Sequence, residues 1–196
     1  MTGTRLWSML IGAALVIAVV VPAAQTLGEK ERFTAVAVVN NGRASGSGIV
    51  QIDITRWSTA AERTSLLAVL KKDGAEKLLD ALQDTRPVGI IKTPDSLGYD
   101  LHYANQTPLP DGGRRIVIAT DRPIGFWEAS HRPRTIDYPF TVIELRLNAE
   151  GEGEGKMSLA TKVIHDKDND MITLENYNLQ PVLLTNVKRE RARASD

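Results

Sequence analysis

The sequence predicts a mainly β, α+β domain: an antiparallel sheet of about eight or nine strands that closes as a barrel or a closed sandwich. Segments rich in β-branched residues, several of them alternating apolar with polar, recur along the chain between Gly-, Asn-, Asp- or Pro-rich turns. Most of these connections are too short for the crossovers that parallel strands need. Helical periodicity replaces this pattern over 57–84, which predicts a two-helix insertion after the second strand.

The predicted strands begin at residue 33. The first, 33–39, ends at Asn40-Asn41-Gly42, which suits the positive φ angles of a two-residue hairpin turn. The second, 49–54, continues from Ser45-Gly46-Ser47-Gly48, where no helix follows to receive a phosphate, so the glycines predict a bulge or a close approach of other atoms. The later strands are predicted at 88–92, 98–104, 114–120, 140–147, 156–164, 171–177 and 182–187.

Two capping signals define the helical insertion. Thr59 and Glu62 have the capping-box spacing, in which each side chain accepts from the backbone N–H of the other residue. Asp73-Gly74-Ala75-Glu76 repeats the signal and predicts a break between two helices. We expect the leucines to pack on the protein's own sheet, and docking of a partner helix is the alternative. They are Leu66, Leu67 and Leu70 in the first helix and Leu78, Leu79 and Leu82 in the second.

The N-terminal residues have the order of a secretory signal peptide. Arg5 precedes an apolar run over 9–21, shorter than the ~20 residues that a membrane-spanning helix needs. Val21-Pro22-Ala23 suits signal peptidase, so we expect residues 1–23 to be removed, with cleavage after Ala24 or Thr26 as alternatives. The protein is then exported, to the periplasm or the medium. The alternative is that this run is retained as an N-terminal anchor. The protein would then contact the membrane through it.

Composition limits the classes of function. The chain has 24 Lys and Arg against 24 Asp and Glu, so it lacks the basic excess typical of nucleic-acid binding, and we expect no such partner. The chain has no cysteine, which excludes thiol catalysis, thiolate metal sites and disulfides. We expect residues 30–188 to form one β-rich domain, stabilised by packing, and 189–196 to be a charged, disordered tail.

The segment 121–139 concentrates unusual side chains in a long irregular stretch, which is typical of functional loops. The candidates for ligand binding are Trp127, Arg132, Arg134 and Tyr138. Arginines donate paired hydrogen bonds to anions, and the aromatic rings offer a stacking face, so an anionic or sugar-like ligand would suit them. The alternative is structural, with Phe126 and Trp127 closing one end of the barrel.

Histidines and carboxylates provide the candidates for catalysis, namely His102, Asp100 and His131. Strand alternation predicts Tyr99, Leu101 and Tyr103 on one face, with Asp100 and His102 on the other, where an Asp–His pair could transfer protons.

No cofactor is expected, because the histidines lack metal-ligand spacing. The segment 166–170 begins like a calcium loop, but Met171 and Tyr177 stand where an EF-hand needs Gly and Glu, which favours a solvated turn.

Several runs carry a resemblance. They are Ser96-Leu97-Gly98-Tyr99-Asp100-Leu101, the segment 106–115, Ala119-Thr120-Asp121-Arg122-Pro123-Ile124, Trp57-Ser58-Thr59 and Asp137-Tyr138-Pro139-Phe140-Thr141. With these runs the chain resembles a family of uncharacterised exported proteins from environmental bacteria. The resemblance covers most of the chain after residue 23 and implies export and a single domain. It implies no activity and no catalytic residue.

These observations predict a non-enzymatic exported protein whose β-barrel binds a small or amphipathic ligand. A hydrolase or isomerase with a His/carboxylate site is one alternative, and an envelope-associated interaction module is another. A binding barrel requires an apolar cavity, and an enzyme requires convergent titratable groups in a cleft. An interaction module requires an exposed apolar patch.

Overall fold

The computed structural model describes residues 29–40, 45–122, 124, 140–158, 162–166, 171–175 and 182–190. This part of the chain forms ten strands and one interrupted helix. In order they are β1 (Glu31–Asn40), β2 (Ser45–Ile54), α1 (Ala60–Gln83), β3 (Gly89–Lys92), β4 (Tyr99–Pro108), β5 (Arg114–Thr120), β6 (Val142–Leu147), β7 (Glu152–Ser158), β8 (Lys162–Asp166), β9 (Met171–Glu175) and β10 (Val182–Glu190).

Eight strands close into an antiparallel barrel in the order β1-β10-β7-β6-β5-β4-β3-β2, and β8 and β9 form a separate two-stranded sheet. The predicted mainly β fold, its closure and the helical insertion after the second strand are therefore confirmed. Closure pairs the edges of the eight strands with one another, which protects them from association with other chains. No helix in the described ranges combines the length and apolar character needed to cross a membrane.

The C-terminal half departs from the predicted strands in two places. The single strand predicted at 156–164 is wrong, because β7 ends at Ser158 and Lys162 begins β8, which belongs to the separate two-stranded sheet. The tail predicted from 189 is wrong for its first two residues, since β10 continues to Glu190, opposite Arg32 of β1. The prediction of a tail rested only on the charged composition of this segment. In the barrel, Lys188 lies 3.3 Å from Glu152 of β7, so cross-strand pairing accommodates these charges. Residues 191–196 lie outside the described residues.

The barrel interior is filled by the protein's own side chains. Alternate residues of the strands point inward and are almost completely buried, as a period of two requires. The largest are Phe33, Ile52, Ile54, Ile91, Leu101, Ile116, Ile118, Ile143 and Leu145. Each aliphatic side chain of this kind stabilises the fold by roughly 1.5–3 kcal/mol relative to exposure. The barrel is thus held by packing, consistent with a chain that has no cysteine.

An ion pair spans one mouth of the barrel. Glu31 begins β1 and Arg114 begins β5, and four steps of strand order separate these strands in either direction around the closed sheet. Arg114 Nη1 lies 2.8 Å from Glu31 Oε1 and 2.6 Å from Gln106 Oε1, and the guanidinium carbon is 5.8 Å from the centre of the Phe33 ring. The pair therefore covers the apolar interior at this end.

The hairpin of β1 and β2 is regular. Asn40 lies opposite Ser45, which agrees with a tight connection, although the predicted Asn-Gly turn falls on residues 41–44, outside the described residues. The bulge or close approach predicted at Gly46 is wrong. The register runs without a shift from 45 to 54, and a Cβ at Gly46 would meet nothing within 4 Å.

The capping box of α1 is present as predicted. The Thr59 backbone N–H donates to Glu62 Oε2 at 2.7 Å, and the Glu62 N–H donates to Thr59 Oγ1 at 3.2 Å. The Arg56 guanidinium also lies 3.0 Å from Glu62. These contacts hold the pKa of the Glu62 carboxyl below its usual value, with the Arg56 hydrogen bond as the largest cause.

The helix breaks at Gly74, where φ is 85° and ψ is −173°. It covers the outer face of the barrel, so the expectation that the leucines pack on the protein's own sheet is confirmed. Its buried leucines join three barrel residues in a second apolar cluster, formed by Leu66, Leu70, Leu78, Leu82, Ala119, Phe140 and Val142.

Candidate functional site

A groove lies between α1 and the outer face of the barrel, with a volume of about 160 Å³. Five leucines of α1 form one wall and four apolar residues of the barrel side form the other. Arg63 and Tyr103 are its polar lining residues. The apolar lining consists of Leu66, Leu67, Leu70, Leu78, Leu82, Val117, Ala119, Phe140 and Val142. We call this site the helix–barrel groove.

The break at Gly74 brings the two halves of the leucine wall together. A continuous α-helix turns by about 100° per residue, so side chains 16 residues apart would be separated by about 160° around its axis. Leu66 and Leu82 have that spacing, and yet both line the same groove. The wall on the α1 side therefore depends on the change of direction at residue 74.

A β-bulge at His102 places Tyr103 in the groove. Leu101 lies opposite Thr120 and Tyr103 lies opposite Ala119, so His102 is an extra residue in β4. The prediction that Tyr99, Leu101 and Tyr103 share one face is wrong for this reason. Leu101 is fully buried in the barrel interior, with Tyr99 packed against that core, whereas Tyr103 packs with the helix cluster. Period-two alternation cannot reveal an inserted residue.

The polar part of the groove carries positive charge. Burial raises the pKa of the Tyr103 hydroxyl, and the positive charge of Arg63 acts in the opposite direction. The two groups are therefore within electrostatic reach of one another. Within the described part of the chain, Arg63 forms no ion pair with a carboxylate, and the Tyr103 hydroxyl has no hydrogen-bond partner.

A second cluster surrounds His102, whose side chain is 7% exposed. Its Nδ1 donates to the Thr85 carbonyl at 2.9 Å, and its Nε2 lies 3.7 Å from Asp121 Oδ2. Asp121 also accepts two hydrogen bonds from Arg122, at 2.9 and 2.8 Å. These contacts lower the pKa of the Asp121 carboxyl, first through Arg122 and then through the charge of His102.

The structure thus brings His102 to Asp121 and not to Asp100. Asp100 is exposed and lies opposite Ile90 of β3. The antiparallel pairing of β4 with β5 was the signal that could have found Asp121, because it places the end of β5 beside residues 101 and 102. Nδ1 of His102 is hydrogen-bonded to the backbone, and Nε2 faces the Asp121 carboxylate. The catalytic role predicted for His102 stays a prediction. Through the hydrogen bond between His102 and Thr85, this cluster connects the segment that follows α1 to strand β4 of the barrel.

The other predicted site residues lie outside the described residues. They are His131, Trp127, Arg132, Arg134 and Tyr138. Their proposed roles stay predictions. Among the described residues, no group of three or more His, Asp and Glu could hold a metal ion. Asp166 and Met171 pair at the end of the β8–β9 hairpin, and the calcium-like residues between them are likewise outside the described part.

Two other surfaces of the barrel differ from the groove in charge and shape. A pocket of about 280 Å³ lies on the outside of β6, β7 and β10, where Glu144 faces Lys156 and Arg146 faces Glu154 across the strands. This alternation of charge gives no net attraction for an ion of either sign.

An apolar strip on the barrel contains Ile49 and Leu183, 56% and 46% exposed, on either side of β1. It is the kind of surface that the interaction-module hypothesis requires, and that hypothesis stays a prediction.

No family model, curated protein or solved structure matches the chain. The resemblance to uncharacterised exported proteins therefore stays a prediction.

Proposed function

We propose that this is an exported, non-enzymatic binding protein that holds a small amphipathic ligand in the helix–barrel groove. The observation that carries the proposal is the groove itself: its described lining consists of leucine, valine, alanine and phenylalanine side chains with two polar residues, Arg63 and Tyr103. Binding sites for small molecules have this character, a mainly apolar surface with a few polar groups that orient the ligand.

The groove suits binding better than the barrel interior does. An eight-stranded barrel is just wide enough either to be filled by side chains or to hold one small ligand. Here Phe33 and the large aliphatic residues occupy the interior, and the Arg114–Glu31 pair covers one mouth. We therefore place the ligand outside the barrel, under α1, and not in the barrel itself as the sequence predicts.

The volume of the groove limits the size of the ligand. About 160 Å³ is close to the ~150 Å³ of an engineered apolar cavity that binds benzene. It is below the ~300–1,000 Å³ of sites for drug-sized molecules. The groove would hold one ring or a short branched chain, with the rest of the ligand at its open side.

Export is the second part of the proposal and rests on the sequence. The order of Arg5, the apolar run 9–21 and Ala23 supports it, as does the resemblance to exported proteins. The described fold is compatible with cleavage after Ala23. Its first contact is made by Glu29, whose carbonyl accepts from Trp57 Nε1 at 3.2 Å, so the proposed cleavage removes no residue of the barrel.

Methyl NMR tests the binding part of the proposal. The mature protein is titrated with 3-phenylpropanamide, a neutral single-ring probe. We expect shifts at the methyl groups that line the groove, such as those of Leu70 and Val117. Shifts at Ile118 and Leu145, inside the barrel, would place the ligand in the lumen instead. No saturable shift at any methyl group would refute the proposal.

A matched pair of variants locates the site. Leu67 is half-buried and lines the groove, whereas Leu97 is 98% exposed on the turn between β3 and β4. Leu67→Trp should fill the groove and abolish binding, and Leu97→Trp should leave binding unchanged. Circular dichroism checks that both variants are folded. Equal binding by a folded Leu67→Trp variant would exclude the groove as the site.

A further inference from the structure

We infer that the helix–barrel groove selects a small organic acid and that Arg63 and the Tyr103 hydroxyl recognise its carboxylate. This inference rests on the proposed function, because it names the class of ligand that the same groove takes. Within the described residues, three observations carry it: Arg63 at the groove has no carboxylate partner, the Tyr103 hydroxyl has no hydrogen-bond partner, and no acidic residue lines the groove.

The guanidinium of Arg63 is available to a ligand. Five of the eight other described arginines pair with carboxylates: Arg32 with Asp53, Arg56 with Glu62, Arg114 with Glu31, Arg115 with Glu144 and Arg122 with Asp121. Arg63 lines the groove and has no carboxylate at ion-pair distance within the described residues. A guanidinium matches the planar geometry of a carboxylate and can donate two parallel hydrogen bonds to it.

The Tyr103 hydroxyl adds a second donor. Burial raises its pKa, so the group stays protonated at neutral pH and can donate. The Tyr103 side chain is half-buried, and its hydroxyl has no partner in the described part of the chain. A carboxylate between Tyr103 and Arg63 would satisfy this hydroxyl and neutralise the guanidinium at once.

The rest of the described lining carries no charge. Among the described residues, the nine others that line the groove are Leu, Val, Ala and Phe. The exposed guanidinium of Arg63 is therefore the one charge that these residues place at the groove. Cationic ligands would be repelled. The volume of about 160 Å³ suits the ring or short chain of a free acid, and it is too small for several residues of a peptide.

The experiment compares an acid with its neutral amide. 3-Phenylpropanoate and 3-phenylpropanamide share one hydrocarbon body and differ in charge. Each is titrated into the mature protein at pH 7, with calorimetry or methyl shifts as the readout. We expect the acid to bind at least about tenfold more tightly, since hydrogen bonds to charged groups are the stronger class.

Variants assign this preference to residues. Arg63→Met should bring the acid-to-amide ratio close to one while the affinity for the amide stays within about threefold. Tyr103→Phe should lower the ratio by about threefold or more. Arg86→Met, at an exposed arginine outside the groove, is the control and should keep the wild-type ratio.

The outcomes separate this inference from the proposed function. Equal binding of acid and amide to the wild-type protein would overturn the inference and leave the groove as a binding site for neutral molecules. A preference that survives in Arg63→Met would overturn the assignment of the recognising residue. If neither compound binds, the proposed function fails, and the inference fails with it.

Discussion

Replacement of Gly74 by alanine tests whether the break in α1 is a backbone requirement. The φ of 85° and ψ of −173° at this residue fall in a region that is essentially restricted to glycine, and a side chain there costs about 1–3 kcal/mol. A Cβ at Gly74 would meet nothing within 4 Å. The expected loss therefore comes from backbone conformation and not from a clash.

Gly46→Ala provides the matched control. A Cβ at Gly46 would also meet nothing within 4 Å, and its backbone is not in the positive-φ region. Both substitutions reduce the entropy of the unfolded chain, which stabilises the fold by about 0.4–1 kcal/mol. That contribution cancels in the comparison, so Gly74→Ala should be less stable than Gly46→Ala by the conformational cost, about 1–3 kcal/mol.

Urea unfolding at pH 7 measures this difference, and thermal unfolding should show a melting temperature lower by about 2–4 °C per kcal/mol. Because the leucine wall depends on the break, Gly74→Ala should also weaken binding of 3-phenylpropanamide. Equal stability of the two variants would contradict the reasoning, since it would mean that residue 74 tolerates alanine and that the helix needs no glycine there.

Three further predictions concern single side chains. Leu82 is 2% exposed, so Leu82→Ala should leave a cavity and lower the free energy of unfolding by about 2–5 kcal/mol. The control Leu97→Ala should change it by less than about 0.5 kcal/mol. Denaturant unfolding measures both variants. Thr59→Ala should cost about 1 kcal/mol through loss of the capping box, and an equal effect in an Arg56→Met background would show that the cap acts independently of the ion pair. The lowered pKa of Asp121 contributes stability that is present above the ordinary aspartate value of about 3.9 and is lost as pH falls through the lower folded value. Asp121→Asn should therefore be less stable at pH 7 and show a shallower loss of stability below about pH 4; an unchanged profile would contradict this.

The predicted site and the observed one differ for identifiable reasons. The helix leucines were recognised from their periodicity, and their contact with the sheet followed from amphipathicity. Strand alternation predicts the wrong face for Tyr103, because the bulge in β4 inserts a residue without a signal in the sequence. Arg63 was not recognised, because an arginine in the first turn of a helix resembles any solvated charge. Its significance depends on the absence of a nearby carboxylate.

The sequence by itself determined the local structure. Alternating apolar residues specified most strands, Thr59 and Glu62 specified the start of α1, and Gly74 specified its break, since each depends on residues within a few positions along the chain. Only the tertiary structure decided which strands meet. The pairing of β1 with β10, the contact of His102 with Asp121 and the salt bridge between Arg114 and Glu31 join residues far apart in the chain. Such contacts form because barrel closure pairs the N–H and C=O groups of the strand edges and buries the apolar faces together. No local sequence pattern encodes which strands are paired.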